Sequence, residues 1–263
     1  MKFITKKQLF LPARKNIKGQ NGKVLIIGGS KEYVGCLALA GVAALRCGAD
    51  WVTVAAPKKV AWAINALSPD IVTKKFDCSY FSDKQSKAVI ELSQHCDAVL
   101  IGNGIGLRKE TQKFVRKVVR TVKKPIVIDA DALKVLRISD GNNALFTPHA
   151  KEFEILLKNS NLTVKNVQKN LGKNIILLKG VIDTIITKDS IYYNKTGNPG
   201  MSKAGTGDVL AGLCVGFLAQ NKDLVQSAIN AAYINGLAGD TLKKKKWYSY
   251  IASDLLYELK RLK

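Results

Sequence analysis

The chain has 263 residues, of which 47% are hydrophobic, and its mean hydropathy is near zero; this composition excludes a disordered or fibrous protein and suffices for one substantial core. The 42 basic residues outnumber the 20 acidic ones and give a formal net charge of +22, which attracts polyanionic ligands. No run reaches the roughly 18 apolar residues of a membrane span, and residues 1–7 lead into no signal-peptide core, so we expect a cytoplasmic protein with one domain, residues 1–263, and no membrane partner.

Apolar runs and helical patterns alternate from residue 24 onward, after a polar, basic segment with no clear element. The runs that predict strands lie at 24–27, 51–56, 98–101, 126–128, 144–147 and 175–178. The patterns that predict helices lie at 36–47, 109–122, 151–157, 209–219, 223–242 and 252–262. Two β-prone runs, 184–187 and 190–193, predict a hairpin. This alternation predicts an α/β fold in which helices flank both faces of a mostly parallel sheet.

The turn after the first strand is rich in glycine, as many nucleotide-binding turns are. However, Gly28, Gly29 and Gly35 do not fit the Gly-x-Gly-x-x-Gly fingerprint, and no Gly-Lys-Ser/Thr of a P-loop follows. The five cysteines have no Cys-x-x-Cys spacing, so we expect reduced core residues and no zinc site. Neither standard nucleotide motif is therefore present.

Polar residues follow most of the predicted strands. They are the turns 28–30 and 102–106, Asp129, Asp131, His149 and Lys179. Because ligands bind beyond the C-terminal ends of parallel strands, we expect these residues to share one edge of the sheet. Asp129 and Asp131 resemble a metal pair, but an extended segment would send their side chains apart, which makes ligation the less favoured interpretation.

The stretch from Gly197 to Asp208 is a loop of glycine and proline that runs directly into the apolar helix predicted at 209–219. A helix N-terminus binds anions well, because its first backbone N–H groups lack partners and its dipole is positive there. Asp208 has two interpretations. It can cap the helix, a role that contributes about 1 kcal/mol, or it can be a general base for a hydroxyl that attacks a phosphoryl group.

Several short motifs occupy these strand ends and loops. They are Leu-Ile-Ile-Gly-Gly-Ser at 25–30 with Tyr-Val-Gly at 33–35, Asp-Ala-Asp-Ala-Leu at 129–133, Thr-Pro-His-Ala-Lys-Glu-Phe at 147–153, Leu-Lys-Gly at 178–180, and the stretches 194–201 and 204–208. In this order, and over nearly the whole chain, they resemble the ADP/ATP-dependent NAD(P)H-hydrate dehydratases. The resemblance implies a ribokinase-like fold.

The resemblance also implies an activity. Members of the family repair NADH or NADPH that has become hydrated at the nicotinamide ring: the 6-hydroxyl is phosphorylated by ADP or ATP, with Mg²⁺, and phosphate then leaves. Microbial members usually consume ADP. The family further implies a homo-oligomer, and since the chain is too short for the fused epimerase domain of some members, a separate hydrate epimerase as a possible partner.

The site residues follow from matched positions in the family motifs. Those implied to contact hydrated NADH or NADPH are Cys36, Gly106, His149 and Asp208, with Asp208 also the catalytic base. Those implied to hold the adenine nucleotide are Lys179, Gly180, Val181, Ile182, Asp183, Gly205, Thr206 and Gly207. The chain departs from the family at Cys36, where alanine is usual, at Lys134, where asparagine is frequent, and at Asn235, where histidine is frequent.

Two residues keep more than one interpretation. Glu152 acts on Mg²⁺ through water or is an ordinary acid in the first turn of a helix. Lys179 is a phosphate partner or a surface lysine before a turn.

Two other functions compete with the dehydratase. A ribokinase-like vitamin-precursor kinase would share Asp208, although such kinases tend to have Asn-x-x-Glu where this chain has His149 and Glu152. The hypothesis of a basic nucleic-acid-binding protein depends on the net charge alone. Because the lysines are dispersed along the chain, we expect no specific nucleic-acid partner.

Overall fold

The computed structural model describes residues 1–259, which contain one ten-stranded sheet. Its strands are β1 (Lys2–Phe3), β2 (Lys23–Ile27), β3 (Trp51–Pro57), β4 (Val72–Phe76), β5 (Ala98–Ile101), β6 (Ile126–Ile128), β7 (Ala144–Phe146), β8 (Ile175–Leu178), β9 (Asp183–Ile186) and β10 (Ile191–Asn194). They lie in the order β1-β10-β9-β8-β7-β6-β5-β2-β3-β4. The neighbours from β8 to β4 are parallel, whereas β9 is antiparallel to both β8 and β10.

Helices cover both faces of this sheet. They are α1 (Gly35–Arg46), α2 (Lys58–Leu67), α3 (Asp83–Ser93), α4 (Lys109–Thr121), α5 (Ala150–Ser160), α6 (Thr206–Asn221), α7 (Leu224–Lys246) and α8 (Ala252–Glu258). Successive residues of β2 point to opposite faces, so Ile26 packs in the core beneath α1, α6 and α7, and Ile27 packs in the core beneath α4 and α5. The α/β prediction with both faces covered is therefore confirmed.

The predicted elements appear close to their predicted bounds, and the predicted hairpin is the antiparallel pair β9–β10. Helix α6 begins at Thr206, three residues before the predicted start, so the helix N-terminus includes the Gly-Thr-Gly-Asp segment. Helix α7 continues to Lys246 rather than ending at residue 242. The predicted helix 252–262 is observed from Ala252 to Glu258, and residues 260–262 lie outside the described residues.

The sequence patterns did not predict α2, β4 and α3, which lie between β3 and β5. Strand β4 is at one end of the sheet and pairs only with β3 in the described part of the chain. Its residues alternate between partly exposed and exposed, and only Phe76 is buried. An edge strand with little buried surface lacks the continuous apolar run that identifies the central strands.

The strand order reverses between β2 and β5. From β2 the chain builds outward through β3 to β4, and it then returns to place β5 on the other side of β2. The two connections leave a crevice beyond the carboxyl ends of these strands, which is where open α/β sheets bind ligands. Among residues 1–259, no helix combines the length and apolar character needed to cross a bilayer.

Candidate active site

The backbone of Asn103 lies at the strand-order reversal, directly after β5. Its carbonyl accepts a hydrogen bond from the N–H of Gly29 (2.9 Å), the turn residue after β2. Gly28 has no Cβ that would overlap this carbonyl, so glycine permits the two turns to approach closely. This contact fixes the loop after β5 against the turn after β2.

The side chain of Asn103 is fully buried and joins two carboxylates. Its Nδ2 donates to Oδ1 of Asp208 (2.6 Å) and to Oδ2 of Asp129 (2.9 Å), whereas its Oδ1 has no hydrogen-bond partner among the described residues. The sequence analysis placed Asn103 in a polar turn but did not identify it as a site residue. The only sequence signal was its position at the end of a buried strand.

Asp208 is the third residue of α6 and lies in the first turn of this helix. The residue at the N-cap is Gly205, with a left-handed φ of 92°, and no side chain caps this helix. The interpretation of Asp208 as a helix cap is therefore wrong, because its carboxylate faces Asn103 instead of the free N–H groups. Its role as a general base stays a proposal.

The environment of Asp208 disfavours its ionised form. Burial raises the pKa of this carboxyl to about 6, the hydrogen bond from Asn103 opposes the rise, and the neighbouring Asp129 adds to it. Lys179 lowers this pKa and Glu152 raises it to smaller extents. A carboxyl whose pKa is about 6 changes its charge just below neutral pH.

Lys179 and Asp129 form a buried ion pair between the ends of β8 and β6. Lys179 Nζ lies 2.9 Å from Oδ1 of Asp129, which also accepts from the hydroxyl of Thr147 (2.8 Å), and 3.9 Å from Oε2 of Glu152. Burial lowers the pKa of Lys179, but Asp129 and Glu152 outweigh that effect and raise it overall. Lys179 is therefore cationic, and its interpretation as a surface lysine is wrong.

Asp131 and Asp129 have different hydrogen-bond partners, and the extended segment assumed in the sequence analysis is not observed. Residues Ala130–Lys134 form a 3₁₀ turn rather than an extended segment. Asp131 accepts from the backbone N–H of Gly106 (3.0 Å) and from Lys134 (2.8 Å). Gly106 is thus held beside the site by a carboxylate, and the two aspartates do not form a metal pair.

His149 and Glu152 bond reciprocally at the start of α5. The Nδ1 of His149 accepts from the N–H of Glu152 (3.3 Å), and Oε2 of Glu152 accepts from the N–H of His149 (3.0 Å). This capping box satisfies two backbone donors and places Glu152 in the first helical turn; a role of Glu152 toward Mg²⁺ stays a proposal. The imidazole remains about half exposed, while the side chain of Glu152 is 6% exposed.

A cavity of about 610 Å³ opens between the β8–β9 turn, the loop before α6 and the helix α7. Predicted nucleotide-binding residues that line it are Lys179, Gly180, Val181, Asp183, Thr206 and Gly207, and His149 lines it as well. Ile182 and Gly205 flank these residues in sequence and are not in its lining. The sequence analysis did not assign Asn198, Met201, Leu210 or Asn235 to the site, yet all four line the cavity.

Cys36 and Gly106 are not in the lining of this cavity. Cys36 is half-buried in the first turn of α1, and its thiol donates a hydrogen bond to the backbone carbonyl of Tyr33 (3.8 Å). Burial, with a further contribution from Asp208, raises the pKa of the Cys36 thiol to about 12. Cys36 is therefore a neutral thiol at physiological pH rather than a nucleophilic thiolate.

Comparison with known proteins identifies the family. Residues 24–261 match the family model described as NAD(P)H-hydrate dehydratase. A bifunctional NAD(P)H-hydrate repair enzyme from Methanothermobacter thermautotrophicus is 39% identical, over 94% of this chain and 51% of that protein. An ADP-dependent (S)-NAD(P)H-hydrate dehydratase from Cenarchaeum symbiosum is 37% identical, over 94% of this chain and 90% of that protein.

The solved structures agree with this match. The ADP/ATP-dependent NAD(P)H-hydrate dehydratase of Bacillus subtilis, co-crystallised with ATP/Mg²⁺, is 25% identical, with a TM-score of 0.80 over 95% of this chain and 92% of that one. The fold is ribokinase-like. The chain spans about half the length of the bifunctional relatives that it matches.

Proposed function

Because this chain belongs to the NAD(P)H-hydrate dehydratase family, we propose that it returns the S-epimer of hydrated NADH or NADPH to NADH or NADPH. ADP or ATP phosphorylates the 6-hydroxyl, and elimination of phosphate then restores the dihydronicotinamide ring. The other products are AMP or ADP and free phosphate. ADP is the expected co-substrate, as the name of the ADP-dependent dehydratase from Cenarchaeum symbiosum indicates for that relative.

The observation that carries the proposal is the placement and pKa of Asp208. Its carboxylate lies in the first turn of α6, beside the Lys179 side of the cavity, and its pKa is about 6. A base with such a pKa is ionised at neutral pH and still accepts a proton readily. Asp208 therefore suits removal of the proton from the 6-hydroxyl as that oxygen attacks the phosphoryl group.

The start of α6 and Lys179 suit the phosphates of the nucleotide. No side chain caps α6; the N–H of Thr206 donates to the carbonyl of Lys203 (3.3 Å), and the next N–H groups of the first turn remain available to an anion. Lys179 Nζ lies about 3.5 Å from the position that a Cβ on Gly207 would occupy. The absence of that Cβ leaves room for a phosphate between the helix backbone and the ammonium group.

The charges beside Lys179 fit a magnesium ion that arrives with the nucleotide. Three carboxylates surround one lysine; they belong to Asp129, Glu152 and Asp208. Glu152 and Asp129 are the residues that would hold the ion through water, since residues 1–259 contain no cluster of three or more protein ligands and Mg²⁺ usually keeps several waters. Bound there, the ion would neutralise charge on the transferring phosphoryl group.

The hydrated nicotinamide is assigned to the opposite side of Asp208. Cys36 and Gly106 are assigned to that side, where the charge of Asp208 acts on Cys36, and His149 lines the nucleotide cavity. This assignment follows the matched family positions and is supported by their distribution around Asp208. The imidazole of His149 is partly exposed and is oriented by Glu152: Nδ1 accepts the capping hydrogen bond, and Nε2 lies 3.4 Å from Oε1 of Glu152.

The direct test supplies ADP, Mg²⁺ and hydrated NADH, and follows the return of dihydronicotinamide absorbance. We expect absorbance to recover with the unmodified protein and phosphorus NMR to show free phosphate with AMP. A stable phosphorylated product without absorbance recovery would support the alternative of a small-molecule kinase. Absence of recovery with both ADP and ATP would remove the dehydratase proposal.

A further inference from the structure

One buried side chain in the cavity wall lacks a hydrogen-bond partner. Asn235 projects from α7, is 6% exposed and lines the cavity with Leu210 and Met201. Its Oδ1 is buried and accepts no hydrogen bond within the described part of the chain. Native proteins pair nearly all buried polar side-chain atoms, so an unpaired acceptor on a residue of the cavity wall indicates that the side chain turns to meet a donor on the ligand.

The wall around Asn235 is held in place by hydrogen bonds that do not involve its amide. Asp240, also on α7, accepts from the N–H of Gly197 (3.0 Å) and from Nδ2 of Asn198 (3.2 Å). The hydroxyl of Tyr250 donates to Oδ1 of Asn198 (2.7 Å). Because the loop is fixed to α7 independently, Asn235 is free to recognise a ligand without reorganising the wall.

The cavity has two chemically different regions. Lys179 and the start of α6 provide positive charge and N–H donors, which suit phosphates. Around Asn235 the lining includes the apolar side chains of Pro199, Met201 and Leu210. An apolar lining with one amide suits a flat heterocycle that is buried by its faces and identified by one polar edge.

We propose that Asn235 recognises the 6-amino edge of adenine and makes this cavity selective for adenine nucleotides. A carboxamide offers one acceptor and one donor side by side, whereas the adenine edge offers the 6-amino donor and an adjacent ring-nitrogen acceptor. Oδ1 would accept from the amine, and Nδ2 would donate to the ring nitrogen. The inference rests on the proposed function, in which this cavity holds ADP or ATP.

A 6-oxo purine cannot make the same pair of bonds. At the edge formed by the 6-position and N7, both atoms of a 6-oxo purine are acceptors, so the amide can donate to only one of them and Oδ1 stays unpaired however the amide is turned. Paired amide–adenine contacts discriminate against the wrong base by roughly 5- to 150-fold. We expect that preference between ADP and inosine diphosphate.

The test measures binding by calorimetry, with Mg²⁺ and no hydrated cofactor. Three ligands are compared: ADP, inosine diphosphate, and purine riboside 5′-diphosphate, which lacks the amine. The unmodified protein should bind ADP most tightly, and Asn235→Leu should bind all three within about twofold of one another, because the amine and the amide act only through each other. Equal binding by the unmodified protein, or a preference for ADP that persists in Asn235→Leu, would overturn the inference.

Thermal unfolding without ligand supplies the control. Removing an unpaired buried acceptor leaves no partner unsatisfied, so Asn235→Leu should unfold at the same temperature as the unmodified protein or higher. A lower unfolding temperature would assign Asn235 a structural role and contradict the inference. Failure of the unmodified protein to bind any of the three nucleotides would instead contradict the proposed function, and this inference with it.

Discussion

At the scale of single residues, the site depends on the groups that disfavour the ionised form of Asp208. Its carboxylate has one hydrogen bond, from Asn103, and two carboxylates near it. Lys179 opposes their repulsion with its positive charge, and it is already paired with Asp129. Desolvation and like charge thus raise the pKa of Asp208, a pattern common at catalytic positions.

Asp208→Asn should separate catalysis from stability. We expect turnover to fall roughly 10²- to 10⁴-fold, the usual contribution of a positioned base, while stability at neutral pH rises. The folded-state pKa is about 6 against 3.8 for the free group, so ionised Asp208 destabilises the folded chain above pH 6 by about 3 kcal/mol. That penalty decreases as the pH falls from 6 to 4. Thermal unfolding measured above pH 6 and near pH 4 should therefore show a higher unfolding temperature for Asp208→Asn only at the higher pH.

Asn103→Leu should move the pH dependence of the reaction. Without the amide donor, Asp208 loses the hydrogen bond that favours its ionised form, while Asp129 and Glu152 still repel it and Lys179 still attracts it. The acid limb of kcat/KM, expected near pH 6, should rise by about one unit. The pH–rate profile measures the shift.

Thr147→Val is the matched control for this change. It removes a buried hydrogen bond to Asp129 from the same network but no hydrogen bond to Asp208. An equal movement of the acid limb in both variants would show that the shift reflects general disturbance of the site. No movement in Asn103→Leu would contradict the role assigned to its amide.

At the scale of elements, α6 connects the core to the chemistry. Residues Val209 to Ala219 are all buried, and a Cβ on Gly212 would overlap the backbone of Ala40 in α1. The close packing of α1 on α6 therefore requires glycine there. A helix surrounded by protein in this way holds its first turn, and hence Asp208, in a fixed position.

Two glycines at the start of α6 should respond differently to substitution by alanine. Gly205 has a φ of 92°, and its Cβ would lie 2.8 Å from side chains of Leu39 and Ala252, so Gly205→Ala should lower stability by about 1–3 kcal/mol. Gly207 is helical, and its Cβ would meet only Lys179 Nζ, at 3.5 Å. Gly207→Ala should therefore leave stability unchanged or slightly improved but weaken ADP binding by about tenfold or more, because the methyl group fills the space assigned to phosphate.

Thermal unfolding and ADP calorimetry on both variants measure the difference. The result that contradicts the assignment is ADP affinity unchanged in Gly207→Ala, since the phosphate would then lie elsewhere.

At the scale of the whole molecule, the net charge of the chain and the charge of the residues around Asp208 have opposite signs. The chain has a net charge of +22, whereas three carboxylates face one lysine around Asp208. The basic run Lys243–Lys246 forms the last turn of α7, where Lys245 and Lys246 pair with Glu258 and Asp254. These ion pairs favour a solvated helix end over a nucleic-acid patch.

Nucleotide binding should weaken as salt rises, because the surface potential that attracts polyanions is screened while the buried ion pair is not. Between about 50 and 300 mM salt we expect the Kd for ADP to rise several-fold. Calorimetry at the two concentrations measures this change, and duplex DNA added at about 150 mM salt should compete poorly. Tight, sequence-selective DNA binding under those conditions would favour the nucleic-acid hypothesis instead.

The sequence by itself determined the succession of the central strands and helices along the chain, because each buried element repeats its apolar residues at its own period. It also determined that polar residues end the strands and that a glycine loop leads into a helix with an aspartate in its first turn. Elements with little buried surface, such as β4, gave no comparable signal.

Tertiary structure decided which polar groups meet. Asn103 and Asp208 are 105 residues apart, and Lys179 and Asp129 are 50 apart; their contacts exist because the strand order brings β5, β6 and β8 to one edge beside α6. The same packing turned Asp208 away from the helix N-terminus and left the amide of Asn235 unpaired in the cavity wall. Local periodicity reports only whether a residue is buried, whereas its partner depends on how distant strands are ordered in the sheet.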